Sequence, residues 1–223
     1  MEKTCYNDRE LFARRIGVRR AGEGAPMAKL FWPDWYFDGF SRIPPGFFKK
    51  NNIRYLVCDI DNTLVTYDDA EPTAQVTEFF ARLKKEGVHP AFASNNSKER
   101  VTTFAAKTGF PAVHDAGKPF GRGMRTAMEL LGADKARTAM LGDQIFTDVL
   151  AARTAGVRMI LVKPIKDKPS LLFRIKRHFE KKSIDRYLGR YGINEPDPER
   201  KLKRKMKKLK KKLRREQRKK ERQ

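Results

Sequence analysis

Between Ile53 and Pro164 the chain switches repeatedly between two hydrophobic periodicities, and that alternation narrows its possible folds to one class. Five short apolar runs, Tyr55–Cys58, Ala91–Ser94, Ala112–His114, Thr138–Leu141 and Met159–Val162, are separated by four stretches of helical pattern. Those stretches, Thr73–Lys85, Lys98–Thr108, Gly121–Leu131 and Thr147–Ala155, carry apolar residues three and four positions apart. A short apolar run without polar alternation reads as a strand covered on both faces, and an amphipathic helix between two such strands returns the chain in parallel. Gly87, Gly109, Gly132 and Gly156 each follow a helical stretch, where a left-handed residue ends the helix. The pattern predicts an α/β fold, a doubly wound parallel sheet.

The flanks are of other kinds. Residues 1–26 read as a disordered extension, with Met27 as the working start; their arginines suggest a transit peptide, but Glu2, Asp8 and Glu10 argue against one. The folded domain is expected over 27–194. It opens with an aromatic segment, Phe31, Trp32, Trp35, Tyr36, Phe37, Phe40, Phe47 and Phe48. That segment is expected to pack on the sheet edge or helices, the other reading being an interfacial membrane contact. After Pro164, Leu171, Leu172, Ile175, Phe179, Ile184, Tyr187 and Leu188 predict one or two amphipathic helices folding back on the domain. A linker, Glu195–Pro198, leads to a basic tail over 195–223, whose last 24 residues hold 16 basic and 2 acidic side chains, +14 of the chain's +23. Such charge implies a polyanionic partner, nucleic acid or an anionic membrane. Cys5 and Cys58 form no disulfide framework, no run of about 18 apolar residues spans a bilayer, and a reducing, cytoplasmic setting is expected.

Chemistry is concentrated at the strand ends. Tyr55–Cys58 runs into Asp59-Ile60-Asp61-Asn62-Thr63, the second strand ends in Ser94-Asn95-Asn96, Lys118-Pro119 follows the third, and Leu141-Gly142-Asp143-Gln144 ends the fourth, with Asp148 about a helical turn later. Ligands of an open parallel sheet gather outside the carboxyl ends of its strands, so these four points are expected to share one crevice. Carboxylates hold a hard cation through oxygen, and a cation with a lysine neutralises a transferring phosphoryl group. His89, His114 and His178 are scattered and read as structural or exposed; Asp68, Asp69 and Glu71 read as a solvated acidic turn.

These residues resemble the four motifs of the haloacid dehalogenase (HAD) superfamily: Asp59–Thr63, Ser94, Lys118 and Gly142–Asp148. The resemblance implies a HAD-like Rossmannoid phosphatase. Asp59 is then the nucleophile, Asp61 the general acid/base and Lys118 the bridge between Asp59 and phosphate. Ser94, Asn95 and Thr63 bind substrate, and Asp59, Asp61 (through its carbonyl), Asp143 and Asp148 hold Mg²⁺. The 35 positions from Asp59 to Ser94 and the 24 from Ser94 to Lys118 leave room for no cap domain.

More narrowly, Lys29–Asp34, Asp61–Val65, Ser94–Asn96, Lys118-Pro119 and Gly142–Asp148 are similar to the YqeG family of subclass IIIA HAD phosphatases, over about Ala28 to Tyr191. Relatives of that family include phosphatidylglycerophosphate phosphatases. The resemblance therefore implies an anionic lipid phosphate as substrate, reached by a peripheral membrane enzyme at the inner face of the membrane. The alternatives are a soluble phosphomonoester, or a nucleic-acid or ribosome-associated protein that binds through its tail.

Overall fold

The computed structural model describes residues 30–166 and 171–192, with the side chains of 171–179 excepted. Residues 1–26, Met27, the Glu195–Pro198 linker and the basic tail lie outside the described residues, as do the side chains of Leu171, Leu172, Ile175, His178 and Phe179.

Six strands form one parallel sheet: β1 (Trp35–Phe37), β2 (Tyr55–Cys58), β3 (His89–Ala93), β4 (Ala112–Val113), β5 (Thr138–Gly142) and β6 (Arg158–Val162). Their order is β1-β6-β5-β2-β3-β4, and every neighbouring pair is parallel. The helices are α1 (Phe47–Lys50), α2 (Ala74–Lys85), α3 (Lys98–Thr108), α4 (Arg122–Leu130), α5 (Leu150–Ala155) and α6 (Leu171–Tyr191). A single π-helical turn, Ile145–Val149, runs directly into α5. The doubly wound expectation therefore holds, and α2 alone separates β2 from β3, as α3 alone separates β3 from β4. Nothing in either connection forms a cap.

Local chemistry sets the helix limits. Thr73 and Ser97 cap α2 and α3 by accepting from the Val76 and Arg100 amides. Gly109 (φ 72°) and Gly156 (φ 75°) end α3 and α5 in the left-handed region that a side chain would strain.

Two apolar layers cover the sheet. One contains Phe37, Phe48, Leu56, Phe92 and Phe104; the other contains Val57, Met124, Met140, Met159 and Leu161. Alternate residues of β2 thus serve opposite layers, Leu56 on one side and Val57 on the other, as period-two geometry requires. Each fully buried large side chain contributes about 1.5–3 kcal/mol of transfer free energy.

The aromatic segment packs on the sheet edge and helices, as expected of it. Phe37, Phe40, Phe47 and Phe48 are buried, and the ring of Phe47 meets those of Trp35 and Phe37 edge to face. Part of the segment is also a strand. β1 pairs with β6 in the register Trp35 to Ile160 and occupies what would otherwise be the open edge of β6. Asp34 secures the entry, its backbone N–H donating to the Met159 carbonyl and its carboxylate accepting from the Met159 N–H. Late in the chain, α6 is one helix, and it packs on the second layer through Ile184, Tyr187 and Leu188.

Candidate active site

β2 lies between β5 and β3, so its carboxyl end opens at the point where the strand order reverses. The ladder continues one residue past the strand, where the Asp59 N–H donates to the Leu141 carbonyl. The chain then turns tightly: Leu64 N–H reaches Ile60 C=O at 2.9 Å, and Asn62 sits at φ 68°. Asparagine tolerates that left-handed conformation better than most residues. Its side chain holds the turn, Nδ2 donating to Asp143 Oδ2 and Oδ1 accepting from the Lys166 N–H.

Four strand ends meet here. Lys118 Nζ lies 2.5 Å from Asp59 Oδ1 and 2.8 Å from Asp148 Oδ1, all three groups being buried. Asp59, Asp143 and Asp148 can each place a carboxylate oxygen within 4.8 Å of the others. A cleft of about 310 Å³ opens above them, lined by Asp59, Asp61, Tyr67, Ser94, Asn95, Asn96, Lys118, Gln144 and Thr147. Gly142 is required by this packing: a Cβ there would lie 2.5 Å from the Asp148 carboxyl carbon. The second Asp148 oxygen accepts from the Gln144 N–H, which fixes the turn after β5.

Electrostatics follow from burial. Desolvation lifts the Asp59 carboxyl to about 7, Lys118 pulls it down, and the Asp148 and Asp143 charges push it further up. Burial acts against the Lys118 ammonium, but Asp148 and Asp59 overcome it and hold the lysine above its ordinary value. Three buried carboxylates against one ammonium leave net negative charge. An all-oxygen donor set of that charge fits a hard divalent cation.

The predicted residues Asp59, Asp61, Ser94, Asn95 and Lys118 line the cleft. Asp143 and Asp148 sit beneath it. Two of the predicted substrate-binding side chains already have partners. Thr63, only 1% exposed, turns its hydroxyl to Asp59 Oδ2 and Asp143 Oδ1 at 3.2 and 3.3 Å, orienting two acids instead of facing the cleft. The Asn95 amide is spent on Lys118, donating to its carbonyl and accepting from its N–H, so it positions the lysine. Asp68 pairs with Lys166, and Asp69 accepts from the Thr66 N–H and hydroxyl, consistent with an acidic turn. His89 is exposed, and His114 contacts Asp115.

Other contributors went unread in the sequence. Arg100, in the first turn of α3, donates through Nε and Nη2 to Asp61 Oδ1, while Asn96 Nδ2 donates to Asp61 Oδ2. Glu180 of α6 reaches the turn after Asp143, and Tyr67 and Gln144 line the cleft. Asn96 and Gln144 stand inside the strand-end motifs, whereas Arg100, Glu180 and Tyr67 have no motif-like spacing to the acids and are brought to them by the fold.

The fold is that of a haloacid dehalogenase-like hydrolase, and the sequence pattern of that description matches residues 46–156. The Probable phosphatase YqeG of Bacillus subtilis is 31% identical over 158 residues, covering 71% of this chain and 92% of that protein. The chain belongs to the haloacid dehalogenase-like hydrolases and, within them, groups with YqeG. A phosphoglycolate phosphatase of Caulobacter vibrioides is 33% identical over 104 residues, 43% of this chain and 44% of that protein. Among solved structures, the cobalt-bound deoxy-D-mannose-octulosonate 8-phosphate phosphatase of Haemophilus influenzae is similar at a TM-score of 0.42 and 16% identity, over 60% of this chain and 90% of that one. That likeness is too loose to bear on function.

Proposed function

We propose that this chain is a Mg²⁺-dependent phosphomonoester phosphatase acting through an aspartyl phosphate. The observation that carries the reading is the contact of Lys118 with both Asp59 and Asp148 beneath a cleft that also exposes Asp61 and Ser94. Two relatives bear phosphatase names, which supports the same reading.

Asp59 attacks phosphorus, and the bond from phosphorus to the ester oxygen breaks as Asp61 gives that oxygen a proton. Water then attacks the phosphoenzyme and gives its proton to Asp61, and the bond between phosphorus and Asp59 breaks to release phosphate. Lys118 keeps Asp59 aligned and offers positive charge to the phosphoryl oxygens. The Ser94 hydroxyl and the Asn95 backbone N–H donate to the substrate, since the Asn95 amide and the Thr63 hydroxyl are engaged elsewhere. Asp59, Asp143, Asp148 and the Asp61 carbonyl would hold Mg²⁺, which supplies charge neutralisation when bound. Asp59→Asn should abolish Mg²⁺-dependent phosphate release; retained turnover would remove the nucleophile assignment.

For the substrate we infer phosphatidylglycerophosphate at an anionic membrane surface. The connections between β2, β3 and β4 hold no cap, so a substrate or surface must exclude water from the cleft. The basic tail over 195–223 would add attraction to anionic lipid, about 1 kcal/mol per side chain near the surface. The contact proposed is peripheral, and no helix among the described residues is long and apolar enough to cross a membrane. Hydrolysis of phosphatidylglycerophosphate in mixed micelles tests this. Ready turnover of soluble phosphomonoesters with the lipid left intact would make the soluble substrate the right one, and RNA capture lost with the tail would favour the nucleic-acid partner.

A further inference from the structure

Glu180 lies in α6, beyond the segment 46–156 that carries the family pattern, yet its carboxylate is 1% exposed and points at the catalytic turn. Its Oε1 accepts from the Ile145 N–H at 2.9 Å and from the Phe146 N–H at 3.4 Å. Those amides open the π-helical turn Ile145–Val149, whose first N–H groups have no partner within the turn itself. The amide before them, Gln144 N–H, is taken by Asp148 Oδ2. Three successive amides are therefore held by two carboxylates, one inside the acidic cluster and one on α6. Asp143 lies one residue before this triplet and Asp148 two residues after it.

We propose that Glu180 is a positioning residue for the acidic cluster, which makes α6 an integral part of the active site. A buried carboxylate on two adjacent N–H groups fixes the path of the turn more firmly than solvent would, because charged acceptors make the stronger hydrogen bonds. With that anchor, the turn delivers Asp143 and Asp148 to Asp59 in one arrangement. Without it, two buried N–H groups lose their acceptor and the turn relaxes outward. α6 has a second anchor elsewhere, the Tyr187 hydroxyl donating to the Asp34 carbonyl, so docking of the helix and alignment of the turn are separable.

The inference rests on the metal-dependent reading for one of its two readouts only. The first is amide hydrogen exchange at Ile145 and Phe146 in metal-free, full-length protein. The second is Mg²⁺ affinity by calorimetric titration. Glu180→Ala and Glu180→Asp should each speed exchange at both amides by about tenfold or more and weaken Mg²⁺ by about tenfold, the usual scale for partners that orient ligands. Glu180→Gln, which keeps a neutral acceptor in place, should restore part of both. Tyr187→Phe should lower the melting temperature while leaving exchange and affinity within about twofold of wild type. Unchanged exchange at Ile145 and Phe146 in Glu180→Asp would overturn the proposal, and so would equal effects from Tyr187→Phe. Faster exchange in a protein that binds no Mg²⁺ even as wild type would uphold the positioning role and refute the metal reading instead.

Discussion

Arg100 grips Asp61 through two nitrogens, Nε at 3.2 Å and Nη2 at 2.9 Å from the same carboxylate oxygen, while Asn96 holds the other oxygen at 3.0 Å. Nη2 also reaches the Thr66 carbonyl, so one guanidinium ties α3 to the loop that follows Asp61. A proton carrier is effective only when it sits where the proton must go. Arg100→Ala should lower kcat on an alkyl phosphate by about ten- to hundredfold while leaving KM within about twofold. Arg100→Lys should recover only part, because an ammonium is a point charge and cannot reproduce the planar grip. Steady-state kinetics at saturating Mg²⁺ checks this; an unchanged kcat would mean that Asp61 holds its place without Arg100.

The Asp59 carboxyl, lifted from 3.8 to about 7 chiefly by burial and then by Asp148 and Asp143 against Lys118, makes stability depend on pH. A raised folded-state value stabilises the fold fully below the unfolded value, and the contribution disappears as pH rises through the folded one. Metal-free protein should therefore lose melting temperature between about pH 4 and about pH 7, the window set by those two values. Asp59→Asn should flatten that slope. Mg²⁺ should stabilise more at pH 8 than at pH 5, since a cation competes with protons for the carboxylates. Scanning calorimetry across the range decides it, and an equal slope in wild type and Asp59→Asn would assign the effect to other groups.

Gly142 lies against Asp148 so closely that a Cβ would stand 2.5 Å from the Asp148 carboxyl carbon and 2.6 Å from its Oδ2. Gly142→Ala should displace Asp148 from Lys118 and from the Gln144 N–H, costing about 1–3 kcal/mol as overpacking does. The double variant Gly142→Ala, Asp148→Ala has room for the added methyl. It should melt above the sum of the single effects, a coupling expected only of groups in contact. Strict additivity would show that the turn moves without strain.

Four strand-end motifs were legible because each is short and contiguous: Asp59 to Thr63, Ser94, Lys118 and Gly142 to Asp148 sit where apolar runs stop. Short continuous apolar runs between helical patterns place five of the six strands for the same reason. β1 was not legible as a strand, since Trp35–Phe37 lies in a segment aromatic on both sides, where no apolar run stands out, and its pairing with β6 is secured by Asp34. Thr63 and Asn95 belong to legible motifs, but the directions of their side chains follow from partners 80 and 23 positions away. Arg100 and Glu180 had no local signal at all. A basic residue in a helix first turn and an acid among lysines look like solvated surface until the fold buries them against Asp61 and Ile145.

Asn62 offers the sharpest separation of backbone from charge. Its φ of 68° favours Asn, Asp or Gly, so Asn62→Gly and Asn62→Asp can both keep the turn. Asn62→Gly loses the donor to Asp143 Oδ2 at 3.2 Å and the acceptor for the Lys166 N–H at 2.7 Å, and should lose about 1–3 kcal/mol whether or not a divalent cation is present. Asn62→Asp keeps the acceptor for Lys166 but turns a carboxylate toward Asp143, adding a fourth negative charge to a cluster that already exceeds its one lysine. Its loss should be large in chelator and recovered in good part by Mg²⁺, because like charges in a buried site repel until a cation is shared between them. Melting curves of the two variants with EDTA and with Mg²⁺ distinguish the cases. Equal recovery in both would locate the defect in the turn, whereas recovery confined to Asn62→Asp locates it in the charge of the cluster.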